Sequence, residues 1–346
     1  MVKKKISITE IAKHFDVSPS TISRAMNNQP GVSEQLRSQI LQYMMENGYR
    51  APVLKQREQE SKSRMIAMIV GDIRNPFYAE LVFAVQKTLS EHGYLLTVFN
   101  SEYEEQRELQ FMHLAEAYSC AGIIQVTVTT ERMSTALKNL SIPVVMVNRM
   151  LNSFETDVVL LDNYEAGYIA TRHLIEQGHS RIGFLLGQME SSSSIKRYEG
   201  YLQAIKNYNL TVRQEDILPG DLTMPTAYNL AKEFCANLKS RPEDAPTAMV
   251  VSNDLAAYGF MRGCREAGVE VPKMLSIVSF DNIWVSSIGD IQLSTVDPHV
   301  SDMGRIAAEL MVNRISHPNK DVERVVLSPV LIERDSTIPY RDSTRK

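Results

Sequence analysis

The chain has 346 residues, 44% hydrophobic and 23% charged, a balance that excludes a disordered chain and allows two or three packed domains. Its net charge of −4 is uneven: residues 1–64 hold 11 Lys and Arg against 6 Asp and Glu, so this head carries +5 and the remainder −9, which points to a polyanionic partner for the head alone. Cys120, Cys235 and Cys264 are odd in number and form no CxxC, which excludes a disulfide framework and a zinc site and fits a reducing cytoplasm, and no 18-residue apolar run is available to span a membrane.

From the start of the chain, residues 1–5 are basic, but the next stretch holds Glu10, Lys13 and His14 and does not make a signal-peptide core. Ser7-Ile8-Thr9-Glu10 has the spacing of a capping box, so a first helix is predicted there, with Ile8, Ile11, Ala12 and Phe15 on one face until the pattern breaks at Asp16-Val17. Ser18-Pro19 opens a second helix over 19–26, because serine caps and proline at the first helical position has no amide hydrogen to lose. It buries Ile22 and Ala25 and leaves Ser20, Thr21, Ser23 and Arg24 polar, ending at Asn27-Asn28 with Pro30-Gly31. A third helix over 33–47 turns Leu36, Ile40, Leu41 and Met44 inward and stops at Gly48. Three short helices with a tight first turn form a helix-turn-helix unit able to enter a major groove; the alternative is a small helical domain packed on the body.

Residues 49–64 are highly charged and have no face to bury, so they read as a linker. Beyond them, strand-like runs at 65–70, 95–99, 122–126, 144–147, 181–186, 248–251 and 276–280 alternate with helical segments at 78–92, 104–118, 165–177, 195–208, 226–238, 255–267 and 301–315. Apolar strands between helices imply parallel sheets covered on both faces. Such a length exceeds one comfortable core, so the body is divided near Asp162 into two α/β lobes: lobe 1 over 65–162 and 297–325, lobe 2 over 163–296 and 326–340. Ligands of open α/β lobes bind beyond the carboxyl ends of the strands. The residues found there are Asn75-Pro76-Phe77-Tyr78, Asn148-Arg149, Ser191 to Ser194 before Arg197, Ser252-Asn253-Asp254, and Asp281-Asn282. Taken singly these are helix caps; together they supply acceptors, bidentate donors and an aromatic face suited to a polyol.

The head closely resembles that of the lactose/galactose repressor (LacI/GalR) family in Ser18, Thr21, Ile22, Ser23, Arg24, Asn27, Val32, Ser33, Gly48 and Tyr49. The resemblance continues through the body in Asn75-Pro76-Phe77, Asn148-Arg149, Gly178-His179, Arg197 with Gly200, Ser252-Asn253-Asp254, Ser279-Phe280-Asp281 and Arg334 with Ser336-Thr337, and so covers almost the whole chain. It implies a small all-α helix-turn-helix head on a body like a periplasmic sugar-binding protein, and a cytoplasmic repressor that binds a pseudo-palindromic double-stranded DNA operator as a homodimer. Pro19, Ser20 and Arg24 then occupy base-reading positions, and Ser18, Thr21, Ser23 and Asn27 phosphate-gripping ones. The effector, a sugar or sugar derivative, is assigned to Phe77, Tyr78, Asn148, Arg197, Asn253 and Asp281; no cofactor or metal is implied.

Three positions depart from the family pattern. Asp16 stands where glycine is common, a place Asp tolerates because it visits left-handed backbone readily. In the linker, which the family folds into a hinge helix with a leucine wedge in the minor groove, Glu58 falls at the wedge position; Leu54 is the substitute, and weaker operator bending is expected. Ser279 replaces a glycine before Phe280-Asp281 and is expected to narrow the backbone approach.

Against an enzyme, Gly178-His179-Ser180-Arg181-Ile182 lacks the second glycine of a nucleophile elbow, and no phosphate loop or HExxH occurs. An exported sugar-binding protein would lack the head. Within regulation, a repressor tuned by one small molecule is favoured over a global catabolite-type regulator governed by a protein co-regulator.

Overall fold

The computed structural model describes residues 8–26, 31–46, 64–127, 130–240 and 245–340. They form two compact units, one before and one after the boundary between Ser63 and Arg64.

The first unit has helices α1 (Ile8–His14), α2 (Pro19–Met26) and α3 (Glu34–Glu46). Ile11, Ala12, Ile22, Ala25, Ile40 and Met44 are buried together, with Phe15, Val17, Val32, Leu36 and Tyr43 packed around them. These are the faces the 3.6-residue period selects; Ser7 and the Leu41 side chain lie outside the described residues. The turn between α1 and α2 needs one left-handed residue, and Asp16 supplies it at φ 53°. Ser18 closes the start of α2 by accepting from the Thr21 amide at 3.2 Å.

The second unit holds two six-stranded sheets. Lobe 1 orders its strands β11-β5-β4-β3-β1-β2 and lobe 2 orders them β12-β10-β9-β8-β6-β7. In chain order they are β1 (Met65–Val70), β2 (Leu95–Asn100), β3 (Gly122–Gln125), β4 (Val144–Val147), β5 (Asp157–Leu161), β6 (Ile182–Leu185), β7 (Ile217–Leu218), β8 (Ala248–Val251), β9 (Ser276–Phe280), β10 (Ser294–Asp297), β11 (Arg324–Leu327) and β12 (Val330–Ile332). All pairings are parallel except β10 with β12. The chain passes between sheets at three places: after β5, after β10, and between β11 and β12.

Helices cover both faces, as fully apolar strands require. On lobe 1, α4 (Pro76–Glu91) and α11 (Val300–Ser316) lie on one side, α5 (Glu105–Ala117) and α6 (Met133–Lys138) on the other. On lobe 2, α7 (Asn163–Glu176) and α8 (Ser192–Asn207) are opposed by α9 (Met224–Ser240) and α10 (Asp254–Glu266). One apolar cluster runs through both lobes, from Ile66 and Val145 to Phe184 and Val278.

The α7–α8 crossing is closer than side chains allow. A Cβ on Gly167 would sit 1.9 Å from the Arg197 carbonyl oxygen, and one on Gly200 would sit 2.0 Å from the Tyr164 carbonyl oxygen. Two backbones therefore touch directly, which fixes Asn163 on α7 against Arg197 on α8.

Candidate functional site

On the head, Pro19, Ser20, Ser23 and Arg24 are exposed along α2 and Thr21 is half-buried, while Ile22 and Ala25 hold the helix from beneath. Ser18 shares its hydroxyl with Ser20 at 2.7 Å and Thr21 at 2.9 Å. Asn27 and Leu54 lie outside the described residues, as do Gly48, Tyr49, Glu58 and the hinge.

In the body, Phe77, Tyr78, Asn148, Arg197, Asn253 and Asp281 line one cleft between the lobes, together with Asn75, Val126, Arg149, Ser193, Ser194 and Leu222. Phe77, Tyr78, Asn148, Asn253 and Asp281 reach it by the same device, a strand end followed by a turn or helix start, whereas Arg197 projects from within α8. Asn75 accepts from the Phe77 amide at 3.0 Å and caps α4, presenting Phe77 and Tyr78 edge to face at 5.2 Å. Asn148, just past β4, and Asp281, just past β9, sit at φ 51° and 108°, so the chain kinks sharply where each side chain is delivered.

Arg197 organises the cleft. Its Nε donates to Asn163 Oδ1 at 2.9 Å, its Nη1 to the Ser252 carbonyl at 2.8 Å, and its Nη2 stands 3.5 Å from Asp281 Oδ1. The guanidinium lies over the Phe280 ring at 4.5 Å. Asn163 in turn donates to Asn148 Oδ1 at 2.9 Å, and Arg149 Nη1 donates to the Asn148 carbonyl and to Ser193 Oγ, both at 2.7 Å. The Asn163 and Ser193 bonds join lobe 2 to lobe 1. The cleft encloses only about 30 Å³. A larger groove of about 490 Å³, lined by Tyr258, Arg262, Arg265 and Lys273 on lobe 2, is away from these strand ends.

Burial pushes the Asp281 carboxyl up to about 7, with the Asp254 charge adding to the rise and the guanidiniums of Arg197 and Arg149 opposing it. Burial likewise raises the Tyr78 phenol, whose oxygen accepts from Tyr103 at 3.2 Å.

Asp254 does not face a ligand. Its carboxylate is inaccessible and accepts from Thr295 Oγ1 at 2.7 Å, Ser286 Oγ at 2.7 Å, the Ile283 amide at 3.0 Å, and Ser279 Oγ. Ser279 was expected to crowd the cleft; its hydroxyl is instead spent on Asp254, fixing the Asp281 turn to α10. Asn253 caps α10 through Ala256 N at 2.8 Å while its amide nitrogen donates to the Leu222 carbonyl at 3.1 Å. The cap and the cleft wall are thus one residue.

Sequence reading left Asn163 and Leu222 out of the site. Asn163 looks like an ordinary helix-opening residue after Asp162, and only the α7–α8 contact brings it to Arg197. Leu222 belongs to a loop with no motif. Among the described residues no group of His, Cys, Asp or Glu could hold a metal ion, and no helix is long and apolar enough to cross a membrane.

Comparison with known proteins agrees with both units. Residues 7–51 match the model of bacterial regulatory proteins of the lacI family, and residues 63–335 match that of periplasmic binding proteins and the sugar-binding domain of the LacI family. The chain is 32% identical over 335 residues to the NTD biosynthesis operon regulator NtdR of Bacillus subtilis, covering 96% of this chain and 99% of that protein. It is 28% identical to catabolite control protein A of Priestia megaterium, covering 98% and 99%. Among solved structures, a LacI family regulator from Enterococcus faecium with bound ribose superposes with a TM-score of 0.71 at 25% identity, over 80% of this chain and all of that one. The lac repressor dimer bound to operator shares the fold with a TM-score of 0.72 at 19% identity, over 97% of this chain and 100% of that one. A basic helix-turn-helix head, a two-lobed body and family matches that together span most of the chain lead to one assignment: it is a DNA-binding transcriptional regulator of the LacI family.

Proposed function

We propose that this regulator is a cytoplasmic repressor whose operator affinity is set by a small sugar-like effector held between the lobes. The observation that carries this reading is the buried Arg197–Asp281 pair, set beside Asn148, Asn253 and the Phe77 face at converging strand ends. A paired guanidinium and carboxylate can each turn to a sugar hydroxyl, while the aromatic face takes the apolar side of the ring. Pro19, Ser20 and Arg24 read bases; Ser18, Thr21, Ser23 and Asn27 grip phosphates, and Leu54 supplies the minor-groove wedge.

The mechanism is linkage. An effector that favours one lobe arrangement shifts the equilibrium by its difference in affinity for the two, and so changes the spacing of two heads in a homodimer. Exposed apolar residues on lobe 1, Phe83 at 69% and Leu95 at 70%, support self-association. Two-fold symmetry then calls for a pseudo-palindromic operator with half-sites about one helical turn apart. Titrating a sugar and sugar-phosphate panel into the operator complex, followed by fluorescence anisotropy, tests this: one compound should change affinity tenfold or more. A response to a partner protein and to no sugar overturns it.

A further inference from the structure

The hydrogen-bonding sense of one cleft wall is set from behind it, by Asn163, which is buried and does not itself line the cleft. Its side chain makes three bonds. Oδ1 accepts from Arg197 Nε at 2.9 Å, while Nδ2 donates to the Leu161 carbonyl at 3.2 Å and to Asn148 Oδ1 at 2.9 Å. Two of these partners permit one sense only: a guanidinium can only donate and a carbonyl can only accept. The Asn163 amide therefore has a single orientation, with its nitrogen toward Asn148, and Asn148 must answer with its oxygen.

What remains of Asn148 is its Nδ2, which bonds to no described residue and belongs to a side chain that lines the cleft. The Asn148 backbone is held as firmly, at φ 51° with its amide donating to the Val159 carbonyl at 2.7 Å. Turning the Asn148 side-chain amide over would set its nitrogen against the nitrogen of Asn163, two buried donors with no acceptor between them. The relay from Arg197 through Asn163 to Asn148 thus converts a fixed cation on lobe 2 into a fixed donor on lobe 1.

Resting on the reading of the cleft as the effector site, we propose that Asn163 is a positioning residue that determines specificity: it makes Asn148 a donor, so the effector must present a lone pair there. A ring, ether or hydroxyl oxygen satisfies Asn148, and a group that only donates does not. The test uses the full chain with aldopentoses and aldohexoses, each beside its single-position deoxy and fluorodeoxy analogues, read by thermal shift and operator anisotropy. Fluorine accepts weakly and never donates, and hydrogen in its place does neither. At one ring position the fluoro analogue should bind tighter than the deoxy one by about threefold or more. Asn163→Asp keeps the Arg197 bond, gives up the Leu161 bond and offers Asn148 an acceptor, so the Asn148 amide turns its oxygen to the cleft and the preference at that position should reverse. Asn148→Asp keeps the bond from Asn163 Nδ2 and puts oxygen where the cleft-facing nitrogen was. It should reverse the preference too, and it decides the matter if Asn163→Asp does not fold. A purely structural Asn163 would weaken every analogue by one factor. A fluoro-to-deoxy ratio that the variants leave unchanged, or a bound sugar with no position that prefers fluorine, overturns the proposal. Silence across all these sugars instead overturns the cleft reading itself.

Discussion

Replacing Arg197 by Ala removes the guanidinium that Asn163, the Ser252 carbonyl and Asp281 share. Breaking a buried ion pair from one side costs about 3–5 kcal/mol when the other charge stays ionised. Asp281 has an escape, because burial already pushes its carboxyl up to about 7 and the loss of Arg197 raises it further, so near neutral pH it takes up a proton. We therefore expect a loss of about 2–4 kcal/mol at pH 7, the low end reflecting that neutralisation. The pH dependence is the sharper signature. A carboxyl whose folded pKa is raised contributes stability that is complete below its unfolded pKa and is lost as pH rises to the folded one. In the unsubstituted protein that loss runs from about pH 4 to about 7 and then stops. In Arg197→Ala it continues above 7, so the gap between the two proteins should widen from pH 7 to 8.5 at up to about 1.4 kcal/mol per unit. Urea unfolding followed by far-ultraviolet circular dichroism reads this directly, since the single tryptophan, Trp284, is already 63% exposed in the folded protein. A gap constant over that range would refute the account of the Asp281 environment. Operator affinity should be unchanged while any effector response disappears; loss of DNA binding with the fold intact would count against the cleft assignment.

Gly167→Ala should cost about 1–3 kcal/mol or more, since the added carbon meets backbone that cannot rotate away, and should weaken effector binding by displacing Arg197 from Asn163; thermal unfolding and titration check both. Arg24→Ala should relax base preference at one operator position by about 1–3 kcal/mol, measured by binding selection, while a uniform loss across all sequences would assign Arg24 to phosphate instead. Ser18→Ala should destabilise the head by about 1 kcal/mol through the lost cap, visible in the far-ultraviolet melting of the head. Operator bending, measured by fluorescence transfer, should be smaller than for relatives with a leucine wedge, and a bend of equal size would show that Glu58 is no obstacle.

The periodic parts of this fold were legible from residues alone. Strands such as 65–70 and 276–280, and the helices between strands, follow from unbroken apolar runs and 3.6-residue faces. Five strands escaped notice, β5, β7, β10, β11 and β12. The reason is plainest in β10, where Ser294 and Thr295 are wholly buried yet polar, matched to Ser336, Thr337 and Asp254 on neighbouring elements. A strand that satisfies polar side chains across its sheet has no hydrophobic alternation to read. The helix α6 is short and carries little pattern. At the cleft, Phe77, Tyr78, Asn148, Asn253 and Asp281 follow their own strand ends and could be named from the sequence, whereas Val126 carries no motif, and Asn163, Leu222 and the supporting role of Asp254 depend on elements distant in sequence.

The touching backbones of α7 and α8 also bear on how such a cleft can change what it binds. Where helices meet through a layer of side chains, drift can resize that layer residue by residue. Here there is no layer, so Asn163 and Arg197 form an anchor that selection can keep or discard but not adjust. In the proposed effector cleft, new preferences therefore arise away from that contact, at Leu222, Val126, Ser193 and Ser194, whose side chains can be exchanged without moving a helix.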